Sequence, residues 1–149
     1  MIPKDPKKDV VKNYKDRPQM LVSSKQRRAA LLPAGSKAEI ELLDLTQAQP
    51  QTETILIPSQ VWDAAEAKSL SLHSWSEGNR YILVSAVDKD DAQNYLMIDT
   101  EKPLESRNLS REIGLEVDQI AFNKADKDEV LVLIAKRLRV FDLGSQSLG

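Results

Sequence analysis

Residues 74–85 have the sequence Ser-Trp-Ser-Glu-Gly-Asn-Arg-Tyr-Ile-Leu-Val-Ser, in which a polar turn is followed by β-branched and aromatic residues. Gly78 and Asn79 are typical residues of turns. Another polar stretch leads to a second apolar run, Tyr95-Leu96-Met97-Ile98, which ends at Asp99. This succession of apolar runs and turns predicts an antiparallel meander of short strands.

The same arrangement recurs along the chain. Trp75 and Phe122 lie 47 residues apart, and three aspartates that end apolar runs, Asp44, Asp99 and Asp142, are separated by 55 and 43 residues. Repeats of about 40–50 residues that each hold several short strands are typical of β-propeller blades. We therefore predict an all-β fold of antiparallel four-stranded blades, a partial β-propeller of about three blades.

The predicted organisation begins with an extended, basic lead-in over residues 1–18. Blades follow at about 19–58, 70–109 and 117–149, the last without a clear outer strand. Two short helices interrupt the strands. One covers residues 59–67, with Ser59 as its N-cap, and the other is a single turn near 110–114 that Ser110 caps.

The middle strands of two repeats, Tyr81–Val84 and Val130–Ile134, are apolar with little alternation. A sheet covered on both faces requires such a run, and face-to-face stacking of blades would supply the cover. The residues predicted to form the buried core are Trp75, Ile82, Val84, Phe122, Leu131, Leu133 and Phe141.

Composition excludes several classes of site. The absence of cysteine excludes disulfides, thiol nucleophiles and thiolate metal sites. No apolar run has the length of a membrane span, and the first residues lack the apolar segment of a signal peptide.

Charge is unevenly distributed along the chain. The net charge is −2, but residues 1–30 carry nine Lys or Arg against three Asp or Glu. Such a head could bind nucleic acid or anionic lipid. A solvated lead-in is favoured, because its lysines alternate with aspartates.

Few residues suggest catalysis. His73, the single histidine, is predicted to be a packed or edge residue of the strand that holds Trp75. The chain has no nucleophile elbow, phosphate-binding glycine loop or dinucleotide fingerprint. We predict no catalytic residues, no cofactor-binding residues and no cofactor. Trp62 is expected to pack against a sheet, with a ligand-facing role as the alternative.

Two loops are rich in acidic residues. Residues 88–94, Asp-Lys-Asp-Asp-Ala-Gln-Asn, gather oxygen ligands of the kind that calcium prefers. Residues 126–129 are interpreted as the equivalent loop of the next repeat. The first loop lacks the central glycine and terminal glutamate of a calcium loop, and Lys89 opposes a cation. We therefore predict no metal site.

A family resemblance rests on three segments. Residues 75–84 resemble the turn of TolB-like and WD-repeat-like propellers, although Glu77 stands where Pro-Asp is usual. Residues 139–145 resemble the end of a WD-repeat strand, with Phe141-Asp142 in place of Trp-Asp. Residues 95–99, followed by 108–110, look most like the propeller region of bacterial PEGA-domain proteins. The resemblance implies an extracytoplasmic, envelope-associated propeller segment in a bacterium.

Three functions remain open at this stage. The favoured one is a non-catalytic propeller segment that binds a protein partner or a cell-envelope component. The second is part of a propeller enzyme whose active site is completed by residues outside this chain. The third is a basic-tailed module that binds lipid or nucleic acid. In the favoured hypothesis no nucleic acid is bound, and membrane association requires an anchor outside this chain.

About three blades do not close a ring, since propellers have typically four to eight. The outer faces of the first and last blades would then be apolar and uncovered. The expectation is that the chain is cut from a longer protein, the alternative being that copies assemble until the ring closes.

Overall fold

The computed structural model describes residues 11–149. The first ten residues of the predicted lead-in therefore lie outside the described residues. The described part folds into three four-stranded sheets, here numbered one to three along the chain. The strands of sheet one are β1 (Gln19–Val22), β2 (Arg28–Leu32), β3 (Glu39–Asp44) and β4 (Thr52–Leu56); those of sheet two are β5 (Ala67–Trp75), β6 (Tyr81–Asp88), β7 (Gln93–Asp99) and β8 (Arg107–Asn108); and those of sheet three are β9 (Gln119–Phe122), β10 (Glu129–Ile134), β11 (Arg137–Asp142) and β12 (Ser147–Leu148).

In each sheet the strands follow one another in chain order, and every neighbouring pair is antiparallel. This is the topology of a propeller blade, so the predicted all-β class of four-stranded antiparallel blades is confirmed. One detail was wrong. Sheet three does have an outer strand, β12, although that strand is only two residues long.

The helical elements are shorter than predicted. The expected helix at 59–67 is reduced to one 3₁₀ turn, Ala64–Glu66, and the cap is Asp63, whose carboxylate accepts from the Ala65 N–H at 3.0 Å. A second 3₁₀ turn spans Pro103–Glu105. The predicted helical turn near 110–114 exists as α1 (Leu109–Ile113).

The cap of α1 also differs from the prediction. Asn108 is the N-cap, and its side chain accepts from the Arg111 N–H at 3.0 Å. Ser110 instead accepts from the Tyr95 N–H at 2.8 Å and so fastens α1 to β7.

The turn between the first two strands is built in a similar way in each sheet. In sheet two the Ser76 N–H donates to the Tyr81 carbonyl at 2.8 Å, and the Ser76 hydroxyl accepts from the Tyr81 N–H at 3.0 Å. Ser23 makes the matching pair of contacts to Arg28 at 2.9 and 3.1 Å. In sheet three Asn123 takes the place of the serine, and its side chain accepts from the Ala125 N–H. A short polar residue at this point satisfies the turn backbone and ends the strand.

The sheets stack face to face, with sheet two in the middle. Ile82 and Val84 project into a core that is shared with sheet one and also contains Trp62. Leu83 projects into a second core, which is shared with sheet three. All three β6 residues are fully buried. Strands alternate side chains between faces, so an unbroken apolar run indicates cover on both sides, as predicted.

Among residues 11–149, sheet three has cover on one face only. Val130, Val132 and Ile134 are buried against sheet two, but Leu131 and Leu133, predicted to be core residues, are only half-buried because they point to the other face. Trp75 and Phe122 are also half-buried. Ile82, Val84 and Phe141 are buried as predicted.

The three strand-ending aspartates share one role. Each carboxylate accepts hydrogen bonds from backbone N–H groups of the turn that follows. The Thr46 N–H donates to Asp44 at 2.9 Å, and the Ser145 N–H donates to Asp142 at 2.8 Å. Asp99 accepts from the N–H groups of Glu101 and Lys102 at 3.0 and 3.1 Å. Hydrogen bonds from Thr46 lower the pKa of Asp44, and those from Ser145 lower the pKa of Asp142. Burial acts to raise the pKa of Asp99, but the Arg80 guanidinium and the two N–H groups outweigh it, and that pKa is also lowered.

Truncation of the sheet-three core should be costly. Phe141 is 0 % exposed, so Phe141→Ala should lower the free energy of unfolding by about 3–5 kcal/mol through the cavity it leaves. Leu138→Ala, on the same strand but 70 % exposed, is the matched control and should change it by about 0.5 kcal/mol or less. Urea denaturation followed by circular dichroism measures both, and equal losses would contradict the assignment of faces.

Acid should remove the contribution of Asp99. A carboxyl whose pKa is lower in the folded state stabilises the fold above its unfolded pKa of about 3.9, and this contribution is lost as the pH falls through the folded value. Asp99→Asn should therefore lower the melting temperature at pH 7, and the gap to the wild type should narrow steadily below about pH 4. Asp90→Asn, in an exposed turn, is the control. A difference in melting temperature that stays constant down to about pH 2.5 would show that the ionised charge of Asp99 contributes nothing to stability.

Candidate protein-binding face

The outer face of sheet three is an apolar surface that no described segment of the chain covers. Five apolar side chains share this face, with Gln119 beside Leu133: Ala121 on β9, Leu131 and Leu133 on β10, and Leu138 and Val140 on β11. Leu131 is opposite both Ala121 and Val140, and Leu133 is opposite Leu138, so the side chains form a continuous patch. We call this patch the open face.

The register of sheet three explains why the open face exists. The buried β10 residues pair with Phe141 and Phe122 across the ladder, and these residues face sheet two. The intervening leucines must then point away from sheet two, because neighbouring residues of a strand alternate. Leu138 is 70 % exposed, which is unusual for a leucine in a strand. An apolar patch of this kind is typical of a surface that associates with another protein.

The opposite end of the stack is not equally open. The outer face of sheet one includes Leu31, Glu41 and Leu43, and residues of the lead-in lie across it. Lys12 Nζ lies 2.6 Å from both Glu41 oxygens, and the Tyr14 hydroxyl donates to Glu41 at 2.9 Å. The interpretation of residues 1–18 as a solvated lead-in was therefore wrong for Tyr14, which is half-buried, whereas Lys12 remains exposed.

The turn end of the stack contains charged clefts. The cleft between sheets two and three has a volume of about 450 Å³, and Arg80, Glu101 and Tyr81 line it. Arg80 donates to Asp99 at 2.8 and 3.0 Å and lies 3.4 Å from Glu101. Its guanidinium also stacks on the Tyr81 ring at 5.1 Å. The guanidinium of Arg80 is therefore already paired within the protein, and its contacts stabilise the turn.

His73 lies at a β-bulge of the edge strand β5 and is exposed. Its Nδ1 is 2.9 Å from the hydroxyl of Ser74, and its ring meets the Tyr95 ring edge-on at 6.0 Å. Within residues 11–149 no carboxylate is hydrogen-bonded to His73, so this Ser–His pair does not form a triad. The prediction that His73 is an edge residue of the strand agrees with its position.

The two acidic loops are not equivalent, contrary to the sequence interpretation. Residues 88–92 connect the second and third strands of sheet two, whereas residues 126–128 connect the first and second strands of sheet three. In the first loop Asp88 turns towards the backbone and accepts from the N–H groups of Asp90 and Ala92 at 2.9 and 3.0 Å. In the part of the chain that the structure describes, no three His, Asp or Glu side chains are grouped to hold a metal ion.

Sequence reasoning predicted an uncovered apolar face on the last blade but did not identify its residues, and it did not identify the Glu41 cluster. Both had a signal. Glu41 is a charged residue inside the apolar run Ile40–Leu43, and Leu138 interrupts the polar residues of β11. None of the helices in residues 11–149 has the length and apolar character to cross a membrane.

Comparisons with known proteins identify a similar solved structure but no family. No protein-family model and no curated protein matches the chain. Among solved structures, the periplasmic gluconolactonase of Pseudomonas aeruginosa is similar over 89% of this chain, with 22% identity and a TM-score of 0.47. The similarity covers 38% of that protein, whose lactonase activity is not thereby assigned to this chain. Nothing in these comparisons concerns PEGA-domain proteins.

The acidic loops should not respond to divalent cations. Calcium at about 1 mM should leave the melting temperature unchanged, because a ligand stabilises a protein only when it binds the folded state. Excess EDTA should be equally without effect. Differential scanning fluorimetry checks both, and a shift of several degrees with either reagent would show that Asp88 and its neighbours bind the ion.

Proposed function

We propose that the chain is a non-catalytic β-propeller segment that binds a protein partner through the open face. The observation that carries the proposal is the apolar outer face of sheet three, which no described segment covers, whereas both faces of sheet two are covered and the lead-in lies across part of sheet one. Two sheet-to-sheet contacts already exist in the molecule, one on each side of sheet two. The partner expected on the open face is a protein that presents another apolar face of a β-sheet.

The shape and chemistry of the open face support such a partner. Aligned sheets pack about 10 Å apart through interdigitating apolar side chains, and the exposed leucines supply one half of such a layer. The face also lies on a rigid element, since Val130 and Phe141 behind it are fully buried. A preorganised apolar surface loses little conformational entropy when it binds.

An extracytoplasmic, envelope-associated location belongs to the same proposal. It is supported by the resemblance of residues 75–84 to TolB-like propellers. A catalytic role is not part of the proposal, because no observation on residues 11–149 favours it.

One exposed leucine should control the self-association of the protein through the open face. Leu138→Glu places a charge on the open face, and we expect self-association through this face to weaken by about tenfold or more, the effect of losing about 1.4 kcal/mol of apolar burial. Leu104→Glu is the matched control, because Leu104 is 79 % exposed on the loop after β7, away from this face.

Light scattering and binding of a hydrophobic dye, both at matched protein concentrations, are the measurements. The wild type and Leu104→Glu should associate and bind dye to the same extent, and Leu138→Glu should do both more weakly. A monomeric wild type that binds no dye, or an equal effect of the two substitutions, would overturn the proposal.

A further inference from the structure

The outer face of sheet one contains a buried carboxylate. Glu41 is only 4 % exposed, although it lies on the face that points away from sheet two. Its neighbours across the ladder are Leu31 and Thr54. A carboxylate in apolar surroundings is stable only when donors or a cation compensate the loss of water.

The compensating groups come from a segment 27–29 residues earlier in the chain. Lys12 Nζ is 2.6 Å from each carboxylate oxygen, and the Tyr14 hydroxyl is 2.9 Å from Oε2. The ammonium also lies 5.0 Å from the centre of the Tyr14 ring. Lysine and tyrosine, separated by one residue, thus bind one carboxylate together.

The tyrosine acts as a donor over the whole physiological range. Burial, followed by the hydrogen bond to Glu41 and its charge, raises the pKa of Tyr14 to about 12. The phenol therefore keeps its proton, and its hydrogen bond to a carboxylate is of the strong, charge-assisted kind.

An apolar groove lies beside this cluster. It has a volume of about 450 Å³, and its lining includes Val11 and Tyr14 on one side and Met20, Leu31 and Leu43 on the other. Met20 is 66 % exposed at its edge. The groove can therefore accept more apolar surface than the lead-in supplies.

The lead-in is attached to sheet one by side chains. Among the backbone hydrogen bonds of the described residues, none joins residues 11–18 to this sheet. A strand that belonged to the sheet would be held by a ladder of such bonds. The contact with Glu41 instead has the character of a bound peptide, in which a few side-chain contacts determine specificity.

We propose that the outer face of sheet one is a peptide-binding site with Glu41 as its specificity determinant, that its ligands are segments with a lysine two residues before a tyrosine, and that residues 11–14 occupy it intramolecularly. This site is separate from the open face, because the two lie at opposite ends of the stack. If the peptide-binding proposal failed, the proposal for the open face of sheet three would be unaffected.

The test uses the full chain with its own segment disabled. Lys12→Ala/Tyr14→Ala should free the site, and a fluorescent peptide with the sequence of residues 11–17, Val-Lys-Asn-Tyr-Lys-Asp-Arg, is the probe. Anisotropy should show saturable binding to this variant. Binding to the wild type should be at least about tenfold weaker, because its own segment competes. Lys12→Ala alone, which keeps the Tyr14 bond to Glu41, serves if the double variant does not fold.

Matched changes identify the determinant. In the variant background, Glu41→Gln should weaken binding at least about tenfold, the loss expected for hydrogen bonds to a charged group. Glu39→Gln, an exposed position of the same strand, should have no effect. A second peptide has the lysine that matches Lys12 replaced by alanine and the tyrosine by phenylalanine. It should bind the site as weakly as the unchanged peptide binds the Glu41→Gln protein. No saturable binding to a folded variant, or equal effects of Glu39→Gln and Glu41→Gln, would overturn the proposal.

Discussion

Burial of both faces of sheet two is the constraint on which the rest of the structure depends. Ile82, Leu83 and Val84 are consecutive and fully buried, which is possible only if a sheet lies on each side of β6. Sheets one and three are therefore fixed relative to the same strand. Cross-sheet hydrogen bonds set their alignment: the Trp75 indole donates to the Leu21 carbonyl at 2.8 Å, and the Tyr95 hydroxyl donates to the Asp118 carbonyl at 3.0 Å.

The two ends of the stack show different solutions to the problem of an uncovered sheet. On sheet one, a glutamate occupies the centre of the face, and a lysine and a tyrosine from the lead-in neutralise it. On sheet three, the outer face presents Leu131, Leu133 and Leu138 instead, and no described segment crosses it. A charge inside a face selects its partner by geometry, whereas leucines accept any apolar surface of suitable shape. The first end is thus specific and the second permissive.

Much of the fold could be predicted from sequence because the signals are local. Ser76, Gly78 and Asn79 mark a turn, and Asp99 ends a strand by binding the backbone that follows. The faces could not be predicted for β10, since Val130 to Ile134 is apolar at every position and alternation is the only indicator of side. The roles of Lys12 and Tyr14 depend on Glu41, 29 and 27 residues away, and no local pattern records such a contact.

The short outer strands β8 and β12 affect how readily the protein can misassemble into fibrils. Each is two residues long, and at the inner edge of sheet two β5 carries two register shifts. Short and irregular edges offer few free backbone groups in line, so a further chain cannot readily continue a ladder there. Fibrils grow by continuing such ladders along their axis. Ordered, ladder-type misassembly should accordingly be disfavoured at these three edges.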